Sequence, residues 1–113
     1  MRVLHVLDHS IPLHSGYTFR TLALLREQRA MGWETCHITS PKHAASATGE
    51  SAAVLEETVE GWHFHRTPPA VAAGGARLPG LGEIALMKQL ERRLLGVAQQ
   101  VRPDVLHANS PVL

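Results

Sequence analysis

Hydrophobic and polar positions divide this chain into short segments of different period. Val3 to Leu7 is a nearly continuous apolar run, interrupted by His5 and closed by Asp8, the pattern of a strand buried on both faces as in a parallel sheet. His9 to Gly16 holds Pro12, Ser15 and Gly16, breakers and cap formers, and predicts a loop. Tyr17 to Met31 then reads as a helix closed by Gly32. Phe19, Leu22, Ala23 and Ala30 fall at helical spacing with Leu25 beside them, and Arg20, Arg26, Glu27, Gln28 and Arg29 make the remaining, wet surface. Trp33 to Thr39 has strand composition and follows through a very short link, which gives a βαβ unit.

The second half is less regular. Ser40 to Ser51 is rich in Ala, Ser, Thr, Gly and Lys without an apolar period and reads as a surface loop. Glu56 to Val59 and Trp62 to Arg66 flank Glu60-Gly61, a two-residue hairpin signal. Thr67-Pro68-Pro69 ends the hairpin, and Ala70 to Gly82, with its glycines and Pro79, predicts a flexible connection. From Glu83 to Val101 the positions Ile84, Met87, Leu90, Leu94, Val97, Ala98 and Val101 keep a 3–4 spacing with charges between them, the clearest helix in the chain. Arg102-Pro103-Asp104 stops it, and Val105 to Ala108 is a last short strand. The fold class expected is α/β, a parallel sheet with flanking helices and a small β-hairpin insertion.

Composition narrows the function. At 113 residues there is room for one domain or part of one. Hydrophobic residues at 44% and charged residues at 19% argue for a globular piece with a modest core. A formal net charge of +1 provides no basic field for a phosphate backbone, so nucleic acid is not an expected partner. The single cysteine, Cys36, cannot form an intramolecular disulfide, which suggests a reducing compartment. The opening residues read as a strand rather than a signal peptide, and no apolar run has membrane-spanning length.

In a β-loop-α-β order ligands sit beyond the carboxyl ends of the strands, which directs attention to His9 to Tyr17 and Asn109 to Pro111. Unpaired N–H groups at the start of the first helix form an anion site that Gly16 leaves open to a phosphate; equally, Ser15 and Gly16 can simply cap and turn into the helix. A dinucleotide-dependent oxidoreductase fails twice: G-x-G-x-x-G is absent, and the second strand ends in Thr39-Ser40 where an acidic residue would hold the ribose. The phosphate-cradling G-x-x-x-x-G-K-[ST] loop is absent as well. Of the eight histidines, His63 and His65 share a strand face, and His5, His37 and His107 can meet across neighbouring strands. No carboxylate or thiolate stands at tight ligand spacing with them, so no metal is expected and they read as structural or surface residues. His107, ending a strand on the ligand side, reads either as a strand histidine or as a site residue. Arg20, Arg26 and Arg29 beside Glu27 read as a solvated helix face, with peripheral membrane contact as the minor alternative. Trp33 and Trp62 read as strand core or half-buried packing residues.

These residues add up to a resemblance. Arg2-Val3-Leu4-His5-Val6-Leu7-Asp8, Pro12 with Ser15-Gly16-Tyr17-Thr18-Phe19-Arg20, Leu25 through Gly32-Trp33-Glu34, and Pro103-Asp104-Val105-Leu106-His107 resemble the amino-terminal domain of family 4 glycosyltransferases. More narrowly, Thr39-Ser40-Pro41-Lys42-His43, the Glu60-Gly61 hairpin with Arg66-Thr67-Pro68, and His107-Ala108-Asn109-Ser110-Pro111-Val112-Leu113 resemble the subgroup associated with exosortase and PEP-CTERM polysaccharide systems. The likeness runs over essentially the whole chain.

The resemblance implies a GT-B enzyme, two Rossmann-like domains facing a cleft, in which residues 1–113 form the acceptor-side domain and the second domain holds a nucleotide-sugar donor. Transfer to a glycan or lipid-linked acceptor would retain anomeric configuration, without metal or other cofactor, in polysaccharide biosynthesis at the cytoplasmic face of the inner membrane. The glycine loop that approaches the donor phosphates corresponds to Ser15 and Gly16, with Ser15 in place of the usual second glycine. His14 and Tyr17 would line the cleft, and His107, Asn109 and Ser110 would surround the acceptor or the transferred sugar. The family commonly reads His-x-His where this chain has His107-Ala108-Asn109, and Asn109 carries no ionisable imidazole. No catalytic residue is assigned. The donor domain has no counterpart in these residues, so the segment reads as truncated at its C-terminal end and inactive alone. The rival expectation is a non-catalytic α/β binding or interaction domain.

Overall fold

The computed structural model describes residues 1–11, 15–41, 55–68 and 81–109, the side chains of 81–83 and 86 excepted. The elements follow the order β1 (Arg2–Leu7), α1 (Gly16–Ala30), β2 (Glu34–Thr39), β3 (Glu56–Val59), β4 (Trp62–His65), α2 (Leu81–Val101) and β5 (Val105–Ala108). They form an α/β fold around one five-stranded sheet of order β3-β4-β2-β1-β5. The hairpin is part of that sheet rather than an insertion beside it. β4 pairs parallel to β2 through Ile38 and His65, and β3 runs antiparallel to β4, so the sheet is mixed. Most of the expected loops Ser40 to Ser51 and Ala70 to Gly82 lies outside the described residues.

Local chemistry sets the boundaries. Ser15 is extended at φ −158° and ψ 163°, and its Oγ accepts the Thr18 N–H, capping α1. At the other end Gly32, φ 88°, donates to the Arg29 carbonyl at 2.9 Å and Trp33 donates to the Gln28 carbonyl at 3.1 Å, a Schellman closure. The hairpin turn has positive φ at both centres, 51° at Glu60 and 82° at Gly61, as a type I′ turn requires.

The two faces of the sheet differ. Toward α2, Leu4, Val6 and Ile38 pack with Leu90 and Val97, and with Cys36, Leu94, Ala98 and Val101 at the margin. Ile84 and Met87, expected on this apolar stripe, are 49% and 53% exposed, so the stripe meets the sheet only from Leu90 onward. Toward α1, Leu7, Ile11, Leu22 and Phe64 form a second cluster, with Val59 and Trp62 beside it. The buried positions of α1 are Thr18, Thr21, Leu22, Leu25 and Gln28. Phe19, 56% exposed, and the exposed Ala23 and Ala30 are therefore not the packing face, and Gln28 is not on the wet one. The reason lies in the strands below: His5 and His37 are fully buried there, and a helix covering polar rings needs a polar partner.

Candidate functional site

β1 lies centrally, with β2 on one side and β5 on the other, so the chain reverses its direction of travel across the sheet between β1 and β5. In open α/β sheets ligands bind beyond the carboxyl ends of the strands at such a switch point. Ser15, Gly16, Tyr17 and Asn109 belong to the segments leaving β1 and β5 there, and His107 lies near the end of β5. Backbone bonds fix the rim: Asn109 donates to the Val6 carbonyl at 2.9 Å and Ser40 to the Leu7 carbonyl at 2.8 Å. His14 and Ser110 lie outside the described residues.

The β1–α1 connection closes on itself through side chains. His9 Nδ1 lies 3.0 Å from Asp8 Oδ2, and His9 Nε2 lies 2.9 Å from Ser15 Oγ. With a carboxylate at Nδ1, the neutral ring carries its proton there and Nε2 accepts the Ser15 hydroxyl proton. Ser15 Oγ then has two acceptor positions, filled by the Thr18 N–H at 3.1 Å and the Thr18 hydroxyl at 3.0 Å. Tyr17 completes the enclosure: its hydroxyl accepts the Asp8 N–H at 3.0 Å, and its ring lies 4.7 Å from that of His9. Burial raises the Tyr17 phenol above its ordinary value, so it stays neutral. The product is an Asp8–His9–Ser15 relay at the positive end of α1. His9 lies in the segment that the β-loop-α-β order singles out, but nothing in that segment shows that its ring pairs with Asp8 and Ser15.

Gly16, the first helical residue, is exposed, and among the described residues a Cβ built on it meets nothing within 4 Å. Neither contact with a described residue nor a left-handed backbone demands glycine there.

A row of three histidines runs under α1. His5 is in register with His37 of β2 and with His107 of β5, at ring separations of 6.3 Å and 5.1 Å. The sequence expectation that these rings meet is thus met. Asn109 Nδ2 lies 3.2 Å from the His107 carbonyl, which identifies it as the donor, and the same nitrogen donates to His5 Nδ1 at 3.0 Å. His5 must therefore keep its proton on Nε2, which donates to Gln28 Oε1 at 2.7 Å. Burial lowers the His5 pKa. His37 takes the opposite tautomer: Nδ1–H donates to the His63 carbonyl at 2.8 Å and Nε2 accepts from the Thr35 hydroxyl at 2.9 Å. Burial lowers its pKa to about 4. His107 itself is exposed. Of the sequence candidates, Ser15, Gly16 and Tyr17 surround one loop, while Asn109 turns its amide nitrogen inward to brace His5.

Arg66 is a further residue to which the sequence assigns no role in the site. It is buried, yet Nη1 donates to Ser10 Oγ at 2.6 Å, Nη2 to the Ile11 carbonyl at 2.9 Å, and Nε to Glu57 Oε2 at 3.0 Å. The guanidinium ties the hairpin to the site loop. Burial lowers its pKa and Glu57 opposes that shift. Arg29 is exposed, as expected, and its guanidinium also stacks on Trp62 at 4.1 Å and donates to Thr35 Oγ1 at 2.9 Å. A recess of about 250 Å³ at the opposite, amino end of the sheet is lined by Met1, Arg2, Gly32, Glu34, Arg102 and Asp104, and among the described residues no helix N-terminus faces it. Among the described residues no helix is long and apolar enough to cross a membrane. No protein-family model, no curated protein and no solved structure matches this chain.

Proposed function

We propose that this chain is a Rossmann-like, acceptor-side domain of a GT-B glycosyltransferase, resembling family 4 and its exosortase-associated subgroup. Its parent would transfer a sugar with retention from a nucleotide-sugar donor to a glycan or lipid-linked acceptor, at the cytoplasmic face of the inner membrane. The observation that carries the reading is Gly16: an exposed glycine at the first position of α1, at the switch point, where no described residue would crowd a Cβ. The helix dipole favours an anion there, and the missing side chain lets a phosphate come close. Beside it, His9 held by Asp8 supplies a proton acceptor for a hydroxyl docking where Ser15 now donates.

A graded substitution tests the reading. Gly16→Ala and Gly16→Leu should leave the thermal midpoint essentially unchanged, because among the described residues a Cβ there meets nothing within 4 Å. Both should weaken binding of a water-soluble polyprenyl diphosphate-linked disaccharide, Leu more than Ala. Equal affinity in all three proteins would remove the site from Gly16.

The rival reading, a binding domain without chemistry, is favoured by one observation: Asn109 stands where the family commonly carries an imidazole, and its amide serves internal bracing. Asn109→His separates the two readings. Transfer preserved or raised in the complete protein supports the enzyme, and no transfer in either form supports the binding domain.

A further inference from the structure

The hairpin carries a cluster unrelated to the switch-point site. A two-residue turn at Glu60-Gly61 sets Glu56 opposite His65 and Thr58 opposite His63, so all four side chains share the sheet face turned toward α2. Glu56 Oε1 lies 3.2 Å from His63 Nε2 and 3.7 Å from His65 Nδ1, and the three ligand atoms lie within 4.8 Å of one another. In a tetrahedral zinc site with bonds of about 2.0–2.1 Å, ligand atoms stand about 3.3 Å apart. The cluster is close to that spacing, and the exposed His63 can move to complete it.

His65 provides the independent observation. The residue is 4% exposed, and its Nδ1 is buried without a hydrogen-bond partner, since 3.7 Å to Glu56 is too long for one. A buried ring nitrogen without a partner is costly, and this one faces a carboxylate and a second imidazole. Neutral imidazole is the form that binds metal. Thr58 Oγ1, 3.3 Å from His63 Nδ1, and the buried His37, which donates to the His63 carbonyl, brace the exposed ligand from behind. Among the described residues Arg93 is the cation that opposes positive charge at His65, and it is engaged by the Arg66 and Leu55 carbonyls at 3.0 Å each.

We propose that Glu56, His63 and His65 form a site for a divalent transition metal of the zinc class, with three protein ligands and the fourth position open to solvent. Two imidazoles and one carboxylate suit zinc rather than magnesium or calcium. The probes are Zn²⁺ by calorimetry and Co²⁺ by visible absorption, applied to the whole chain. Expected are one equivalent of metal, the intense visible bands of four-coordinate cobalt, and a rise in thermal midpoint with Zn²⁺. His63→Ala and Glu56→Gln, both at exposed positions that leave the core intact, should each weaken binding about tenfold or more, and His107→Ala should not. Absence of one-equivalent binding, or affinity unchanged in both His63→Ala and Glu56→Gln, would overturn the assignment. His65→Ala is informative only alongside these two, because it also opens a buried position.

Discussion

The two faces of the sheet solve one problem in opposite ways. Under α2, the centre of the sheet is buried by apolar contact: Leu4, Val6 and Ile38 meet Leu90 and Val97, while the buried His65 of that face lies apart, on the hairpin. Under α1, burial is half polar: His5, His37, Thr35, Thr39 and Gln28 are all shielded from water, each ring fixed in one tautomer by donors and acceptors. An apolar face tolerates exchange of similar volumes, whereas a polar face holds only while every member keeps its partner. The polar face also runs into the switch point through Asn109, so scaffold and site share one network on that side of the sheet.

The largest expected effect tests the apolar face. Leu4→Ala should cost about 2–5 kcal/mol in denaturant unfolding, and it should shift the whole stability curve without changing its pH dependence. A pH-dependent loss would mean that the two faces are coupled.

Acid tests the polar face next. His37 titrates near 4 in the folded chain and near 6.5 unfolded. Between those values the unfolded chain binds a proton that the folded chain refuses, so stability is complete above pH 6.5 and falls progressively toward pH 4. The loss expected from His37 is about 3 kcal/mol, with His5 and His65 shifted in the same direction. His37→Gln should flatten this slope, and an unchanged slope would place its origin elsewhere. Smaller still, Gln28→Ala leaves the His5 Nε2–H without its acceptor and should cost about 1–3 kcal/mol. The smallest effect is a gain: Glu60→Asn suits a residue at φ 51° and should add about 0.5–1 kcal/mol.

Much of this fold was legible in the sequence because it depends on local chemistry. The Ser15 cap, the Gly32 closure, the Glu60-Gly61 turn and the 3–4 spacing from Leu90 to Val101 each act within a few residues. What was not legible depends on pairing across distance. Nothing in Trp62 to His65 announces that β4 will lie beside β2, and this placement makes a hairpin part of the main sheet. Gln28 reads as surface until the strands beneath α1 are known to carry buried imidazoles. The Asp8–His9–Ser15 relay needs a loop folded back on its own helix cap, and Arg66 finds its partners in Ser10 and Ile11, more than fifty positions away. Glu56 is the instructive intermediate: spacing along the chain separates it from His63 and His65, but a two-residue turn at Glu60-Gly61 places it opposite His65.

The edge formed by β5 differs from both faces. Val105 and Leu106 are 44% and 54% exposed, and the strand has a neighbour only at β1 among the described residues. Uncovered apolar edges of this kind favour pairing with another strand.

The proposed ligand site is the carboxyl end of β1, at its junction with α1. It can be tested by amide chemical-shift mapping of the ¹⁵N-labelled chain, titrated with a soluble polyprenyl diphosphate-linked disaccharide and separately with UDP-glucose and GDP-mannose. The lipid-linked probe should perturb Ser15 to Thr18 and Asn109, with only weak effects of the nucleotide sugars in the same place. Perturbations confined to the amino ends of the strands, or tight binding of a nucleotide sugar to this chain alone, would contradict it.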